Sequence, residues 1–257
     1  MYLSSLSSRS IARLTLTCAI VSSALASPAF GQNSEQPKPV LVELFTSEGC
    51  SDCPPADQLL EQLDKAQPIA GAHAIVLSEH VTYWDHQGWR DPFSLEEMTE
   101  RQKAYGFRFN LQDVYTPQMV VDGAAQFVGN NAAALETAMQ AAVARPKQEL
   151  TIENARWENG AAEFSVHAAA NSNARLVVAL AADATHSEVA RGENAGRTLH
   201  HVAVVRVMKE LGPDSMDGRV LKLASGNVSG GPVRLVAFVV DHKTGRVLGA
   251  AEQTLVR

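Results

Sequence analysis

The chain has 257 residues, 46% of them hydrophobic and 19% charged, which is the composition of a globular protein and excludes a disordered one. Its formal net charge of −6 argues against nucleic-acid binding, which requires a concentrated basic surface. The length suits one large domain or two ordinary ones.

Residues 1–26 read as a signal peptide. Arg9 and Arg13 supply a positive start, Ile11 to Leu25 a mostly apolar core, and Ala24-Leu25-Ala26 an A-x-A cleavage site. The apolar run is short and rich in Ser and Thr, so no stable membrane span is expected after cleavage. Cys18 would suit a lipoprotein, but Thr17 is not the small residue such a site needs before it. Cleavage after Ala26 leaves 20 basic and 28 acidic residues. It also leaves Cys50 and Cys53 as the remaining cysteines, in a periplasmic or secreted and therefore oxidising location. Residues 27–39 are polar and contain Pro, which marks a flexible lead-in.

Val40 to Phe45 is an apolar run broken by Glu43 and reads as a buried strand. Thr46 to Gly49 turns, and Pro54-Pro55 suits the first turn of a helix, where amide donors lack intrahelical partners. Leu59, Leu60 and Leu63 carry that helix to about Ala66. His73 to Val81 is a second strand, Tyr83 to Phe93 an aromatic irregular segment, and Ser94 with Glu97 a capping box opening a helix towards Tyr105. Gln118 to Val121 is a third strand, preceded by Thr116-Pro117 and followed by an Asp122-Gly123 turn. Gln126 to Gly129 returns as an antiparallel strand, and Ala132 to Ala144 is helical.

Beyond Arg145-Pro146 the pattern is strands alone: 149–157, 161–169, 175–182, 201–208, 219–223, 233–241 and 247–254. Asn159-Gly160 and Thr244-Gly245 are hairpin signals among them. The expected organisation is an α/β domain over 40–146 followed by an all-β sandwich-like domain over 147–257.

Cys50 and Cys53 form a CxxC on a strand-to-helix connection. A helix N-terminus stabilises a thiolate through unsatisfied amides and the positive end of the dipole. Cys50 is then the attacking nucleophile and Cys53 the resolving thiol of a disulfide exchange, with the disulfide as the only cofactor. A copper or zinc site is the alternative. It would use Cys50, Cys53, His80 and His86, but no second CxxC or His pair at ligand spacing follows downstream. A structural disulfide is the third reading, and it would close too small a loop to constrain the unfolded chain much. The partners expected of a redox centre are protein or small-molecule thiols and an electron donor.

Residues 40–122 resemble a thioredoxin fold: strand, CxxC, helix, strand, helix, then Thr-Pro before a strand. More closely, the chain is similar to the DUF1223 family of secreted proteins. That resemblance rests on VELFTSEGCSDCPPAD, His80 with Tyr83-Trp84-Asp85, GWRDPF, ERQKAYG, VYTPQMVVDG, FVGN and GENAGRTLHHVAVVR. It implies that Pro117 is cis and, with Thr116, shapes a substrate groove beside the cysteines. It also implies that Glu43 is a buried acid serving proton transfer, although the turn after it is one residue longer than in thioredoxins. Ser51-Asp52 departs from the usual intervening dipeptide, and Asp52, joined by Glu48, should oppose thiolate formation at Cys50.

Two further segments carry chemistry-bearing residues. Trp84 and Asp85, with His86, Trp89 and Asp91, either line the substrate groove or cover the core. Gly192 to His201 is either a hairpin connection or a loop folding back over the cysteines, with Arg197 or His200 near the substrate. Phosphate-cradling, HExxH and G-x-S-x-G motifs are absent from the sequence.

Overall fold

The Pro54-Pro55 start sets helix α1 at Pro54–Ala66, which buries Ala56, Leu60 and Leu63 against strands β1 (Lys38–Thr46) and β2 (Ala72–His80). Burying each leucine contributes about 1.5–3 kcal/mol. The helix ends at Gln67, in the left-handed region with φ 45°. Gln67 then uses both ends of its carboxamide on the backbone of Ala74, which ties the helix end to β2.

This is a computed structural model, and it describes residues 1–2, 36–224 and 231–256. The signal peptide, its cleavage site, Cys18 and most of the lead-in lie outside the described residues. Everything below lies within Glu35–Arg257, which forms one unit. Helix α2 (Glu96–Arg108), strands β3 (Gln118–Val121) and β4 (Ala125–Val128) and helix α3 (Ala132–Val143) follow. Then come β5 (Leu150–Glu158), β6 (Ala161–Ala168), β7 (Ala174–Glu188), β8 (Thr198–Leu211), β9 (Asp217–Ala224), β10 (Val233–Asp241) and β11 (Val247–Leu255). No described helix is long and apolar enough to cross a membrane.

Ser94 does not cap α2. Leu95 holds that position, and the Ser94 hydroxyl instead donates to Asp85 and to the Asp91 carbonyl. Asp122-Gly123, with φ of 52° and 59°, makes the tight β3–β4 turn. A side chain on Gly123 would lie 2.1 Å from the Gly245 carbonyl, so this approach of two turns requires glycine.

The fold-class expectation of a thioredoxin-like α/β domain followed by a β-sandwich is overturned. The protein is mostly β, with three helices among the described residues and one large mixed sheet. That sheet has eight strands in the order β11-β10-β7-β8-β2-β1-β3-β4 and crosses the expected boundary near Pro146. Strands β1 and β2 are parallel, and β8 joins β2 in parallel at Ser78 and Val204. The remaining pairs in the sheet are antiparallel. The physical reason lies in β8: Val202, Ala203, Val204 and Val205 are buried consecutively, as befits a strand covered on both faces inside a sheet. Strands β5, β6 and β9 form a separate three-stranded sheet. Its Leu150, Phe164 and Val166 pack on Leu176, Leu180, Leu235 and Val239 of β7 and β10.

At the other edge of the order, β11 packs back towards β1 and β2, where Glu252 meets His73 at 3.1 Å and the Val247 N–H donates to the Asp122 carbonyl. Arg234 of β10 clamps α1 to the sheet. It gives two hydrogen bonds to Asp64, at 2.6 and 2.8 Å, and a third to Asp183 at 2.6 Å. Arg234→Ala would leave two carboxylates without their cation. We expect a loss of about 2 kcal/mol in urea unfolding, with secondary structure retained.

Candidate functional site

Strand β1 delivers the chain to Ser47, whose carbonyl accepts the Cys50 N–H, and the Cys50 carbonyl in turn accepts the Cys53 N–H. These turns set Cys53 at the N-cap of α1, and Cys50 and Cys53 are joined by a disulfide with Cα atoms 5.4 Å apart. The pair is closed off: Cys50 is 1% and Cys53 0% exposed.

Three segments lie against the CxxC loop and the start of α1. The Trp84 indole N–H donates to the Thr116 hydroxyl at 2.7 Å, and its Cβ lies 3.0 Å from where a side chain on Gly49 would begin. Trp84 therefore bridges the CxxC loop and the Thr116–Pro117 peptide, which is cis as the resemblance implied. Pro117 sits near Leu44 of β1 and Ala56 of α1, all three lying beside Gly129. The third segment is the β7–β8 connection. There the Asn194 carboxamide donates to the carbonyls of Glu48 and Cys50, each at 2.9 Å, and Glu193 accepts the Ser51 N–H. Arg197 reaches the site through Asn194, whose Oδ1 it binds at 2.9 Å. His200 does not: it is exposed, with its ring tilted against that of His186 at 6.0 Å between centroids.

Beneath the disulfide lies a buried polar set. Glu48 is fully buried, and one oxygen accepts from the Trp89 indole at 2.8 Å while the other meets the Ser187 hydroxyl and, at 3.3 Å, the His201 Nε2. His201 Nδ1 is 3.7 Å from Asp57, a charge contact too long for a hydrogen bond. Asp57 accepts from the Thr46 hydroxyl at 2.9 Å. It also lies one helical turn after Cys53, on the same face of α1. Burial disfavours an imidazolium at His201, but the carboxylates of Asp57 and Glu48 outweigh it and raise the pKa to about 10. Asp91 accepts from the Glu48 N–H and from His80 Nδ1, the latter at 2.7 Å. Burial would raise Asp91, yet His80 and the N–H groups of Glu48 and Phe93 bring it down to about 2.

Other sequence-derived residues fall elsewhere. Thr46 points towards α1, so the alternation of β1 turns Glu43 to the opposite face. There its carboxylate accepts from Arg101 and from the Tyr105 hydroxyl, each at 2.6 Å, beside fully buried Glu79. Burial and the neighbouring Glu43 hold Glu79 well above the usual carboxylate range, against the pull of Arg101. Glu43 is buried as expected, but on the face away from Asp57. Asp85 organises its own segment by accepting from the Asp91 N–H and the Ser94 hydroxyl. His80 is buried on Asp91, whereas His86 is exposed in a surface depression with Tyr83, Arg90 and Glu96. The two histidines of the alternative metal set are therefore separated by burial. Asp52 is exposed, so solvent screens its effect on Cys50, and the close carboxylates are Glu48 and Asp57.

Sequence reasoning missed Asp57, His201, Asn194 and Ser187. Asp57 was legible from the i, i+4 spacing to Cys53. His201 was legible from parity, since Leu199, His201 and Ala203 are buried while Thr198 and His200 are exposed. Asn194 and Ser187 left no local signal, because their partners in the CxxC loop are 139 or more residues away.

The fold and site together define a mixed-sheet protein with an enclosed CxxC disulfide at a helix N-terminus. The chain belongs to the DUF1223 family, described as proteins of unknown function, whose model matches residues 41–239. It is also similar to a crystal structure of an Agrobacterium tumefaciens protein, with 24% identity and a TM-score of 0.64, covering 83% of this chain and 92% of that one. At that identity the likeness concerns the fold alone. A comparison with curated proteins finds no match.

His201 has a folded pKa of about 10 and an ordinary value near 6.5, so its stabilising contribution is complete below pH 6.5 and is lost as the pH rises towards 10. Denaturant melts across that window should show falling stability in the wild type and a flatter profile in His201→Gln. Asp91, lowered to about 2, contributes above its ordinary 3.8 and stops contributing as the pH falls towards 2.

Proposed function

We infer that the protein is an exported thiol–disulfide oxidoreductase that uses Cys50 and Cys53. The observation that carries this reading is the disulfide at the N-terminus of α1, set above the buried Glu48–His201–Asp57 series. An inert staple has no use for an imidazolium between two buried carboxylates, because burying charges costs more than an apolar core does. A site that must give and take protons as a disulfide opens and closes does use such a set. The placement outside the cytosol rests on the signal pattern of residues 1–26.

In one direction of exchange, a partner's thiolate attacks the Cys50 sulfur and the Cys50–Cys53 bond breaks. Cys53 leaves as a thiolate and takes up a proton, and Asp57, one turn away, is the nearest ionisable group on its helix. A second thiolate of the partner then attacks the mixed disulfide at the partner's own sulfur and releases Cys50. The partner loses two electrons as its two thiols become a disulfide, and the protein gains them as two thiols. The helix N-terminus favours the Cys50 thiolate, while Glu48 and Asp57 oppose it. In this reading the disulfide itself is the cofactor, and the electron donor or acceptor is another thiol or disulfide of protein or small-molecule class.

Two measurements test this. Cys50→Ser should abolish exchange with a reduced or oxidised protein substrate, and Cys53→Ser should trap mixed disulfides visible on non-reducing gels. Equilibration against thiol buffers should give a potential more reducing than about −180 mV, because the flanking carboxylates destabilise the dithiol's thiolate. A value near the −120 mV or so of the strongest oxidants would refute that electrostatic account.

A further inference from the structure

The CxxC loop is held by a segment that the exchange reaction itself does not require. Residues 189–197 form a self-contained turn at the tip of the β7–β8 hairpin, held by hydrogen bonds between Val189 and Arg197, Gly196 and Val189, and Ala195 and Gly192. From this turn Asn194, fully buried, reaches the Glu48 and Cys50 carbonyls, and Glu193 takes the Ser51 N–H at 3.1 Å. The Asn194 side chain is itself oriented by Arg197. Gly192, at φ 78°, sits against Trp89, where a side chain would begin 3.1 Å from the Trp89 Cβ.

We propose that residues 189–197 are an internal cap on the Cys50–Cys53 disulfide, occupying the position where a thiol-bearing polypeptide binds. The capped groups are two backbone carbonyls and one backbone N–H. The cap satisfies them with two amide donors and one acceptor, which is the complement that an incoming peptide backbone also offers. A peptide thiol can replace those three bonds as it displaces the tip. A small thiol cannot, and must wait for the tip to open by itself. Cys50, at 1% exposure, is out of reach of either while the cap is seated. The substrate class rests on the oxidoreductase reading, whereas the cap stands on these contacts alone.

The test is the rate at which the folded, oxidised protein is reduced by dithiothreitol, read by maleimide trapping and intact mass. In that reaction the reagent's two thiols become a cyclic disulfide and the protein's disulfide becomes two thiols. Asn194→Ala deletes both hydrogen bonds to the CxxC loop, along with the bond from Arg197, and should be reduced about tenfold faster than wild type, or more. The double variant Glu193→Ala with Arg197→Ala changes two exposed side chains. It should also be faster, and it decides the matter if Asn194→Ala fails to fold. A wild-type rate in a folded variant overturns the cap. With a short reduced cysteine peptide in place of dithiothreitol, the gap between wild type and variants should shrink, and an unchanged gap overturns the polypeptide class. If the variants are reduced faster but neither they nor wild type exchange disulfides with protein thiols, the cap is supported and the oxidoreductase reading fails.

Discussion

A buried carboxylate without partners is among the costliest groups a core can hold, and Glu48 is such a group unless three separate pieces of chain supply its hydrogen bonds. Trp89 comes from the segment after β2, Ser187 from the end of β7 and His201 from the start of β8, while its backbone N–H goes to Asp91. Glu48 stands two residues before Cys50, so these demands fix where the CxxC loop lies relative to the second half of the protein. The same constraint explains why β7 and β8 extend well beyond the other strands: they must reach the disulfide.

The sheet separates two ionisable cores of different character. On the face of α1, the carboxylates of Glu48, Asp57 and Asp91 are each met by a histidine or by N–H donors. On the face of α2, Glu43 is paired with Arg101 and Tyr105, while burial and the neighbouring Glu43 raise Glu79 well above the usual carboxylate range, against the pull of Arg101 at 3.6 Å. The first core includes Glu48 and Asp57, the carboxylates flanking the CxxC in sequence, and the second does not. A strand alternates its side chains, so one residue of register decides which core an acid joins. Thr46 and Glu43 of β1 fall on opposite sides for that reason.

Most elements were legible from the sequence because their signals are local. The double proline fixed the start of α1, and the Asp122-Gly123 and Asn159-Gly160 turns placed their hairpins. The partnership of β8 with β2 was not legible, since it joins residues 126 positions apart (Ser78 and Val204) through a single bridge, and a strand's own pattern does not name its neighbour. Reading residues 201–208 as part of a separate sandwich followed from that gap. The site divided in the same way. Cys50 and Cys53 were legible from spacing and the cis Pro117 from the resemblance to thioredoxins, while Trp84 and Arg197 lie in segments the sequence singled out. Glu43 was named as a buried acid from the resemblance to thioredoxins, and Asp57, one helical turn after Cys53, was not singled out.

Asn194 lies 144 residues after Cys50, so both cysteines leave the ribosome long before the residue that covers them exists as chain. For that interval the thiols and the backbone of residues 48–51 have no lid of their own. The order of synthesis therefore gives this protein an open state once in its life without any conformational change. A chain truncated before β7 would remain in that state, with paired or unpaired cysteines accessible to solvent and Glu48 lacking half its partners. Such a fragment lacks Ser187, Asn194 and His201, so the far end of the sequence supplies contacts that hold the CxxC loop.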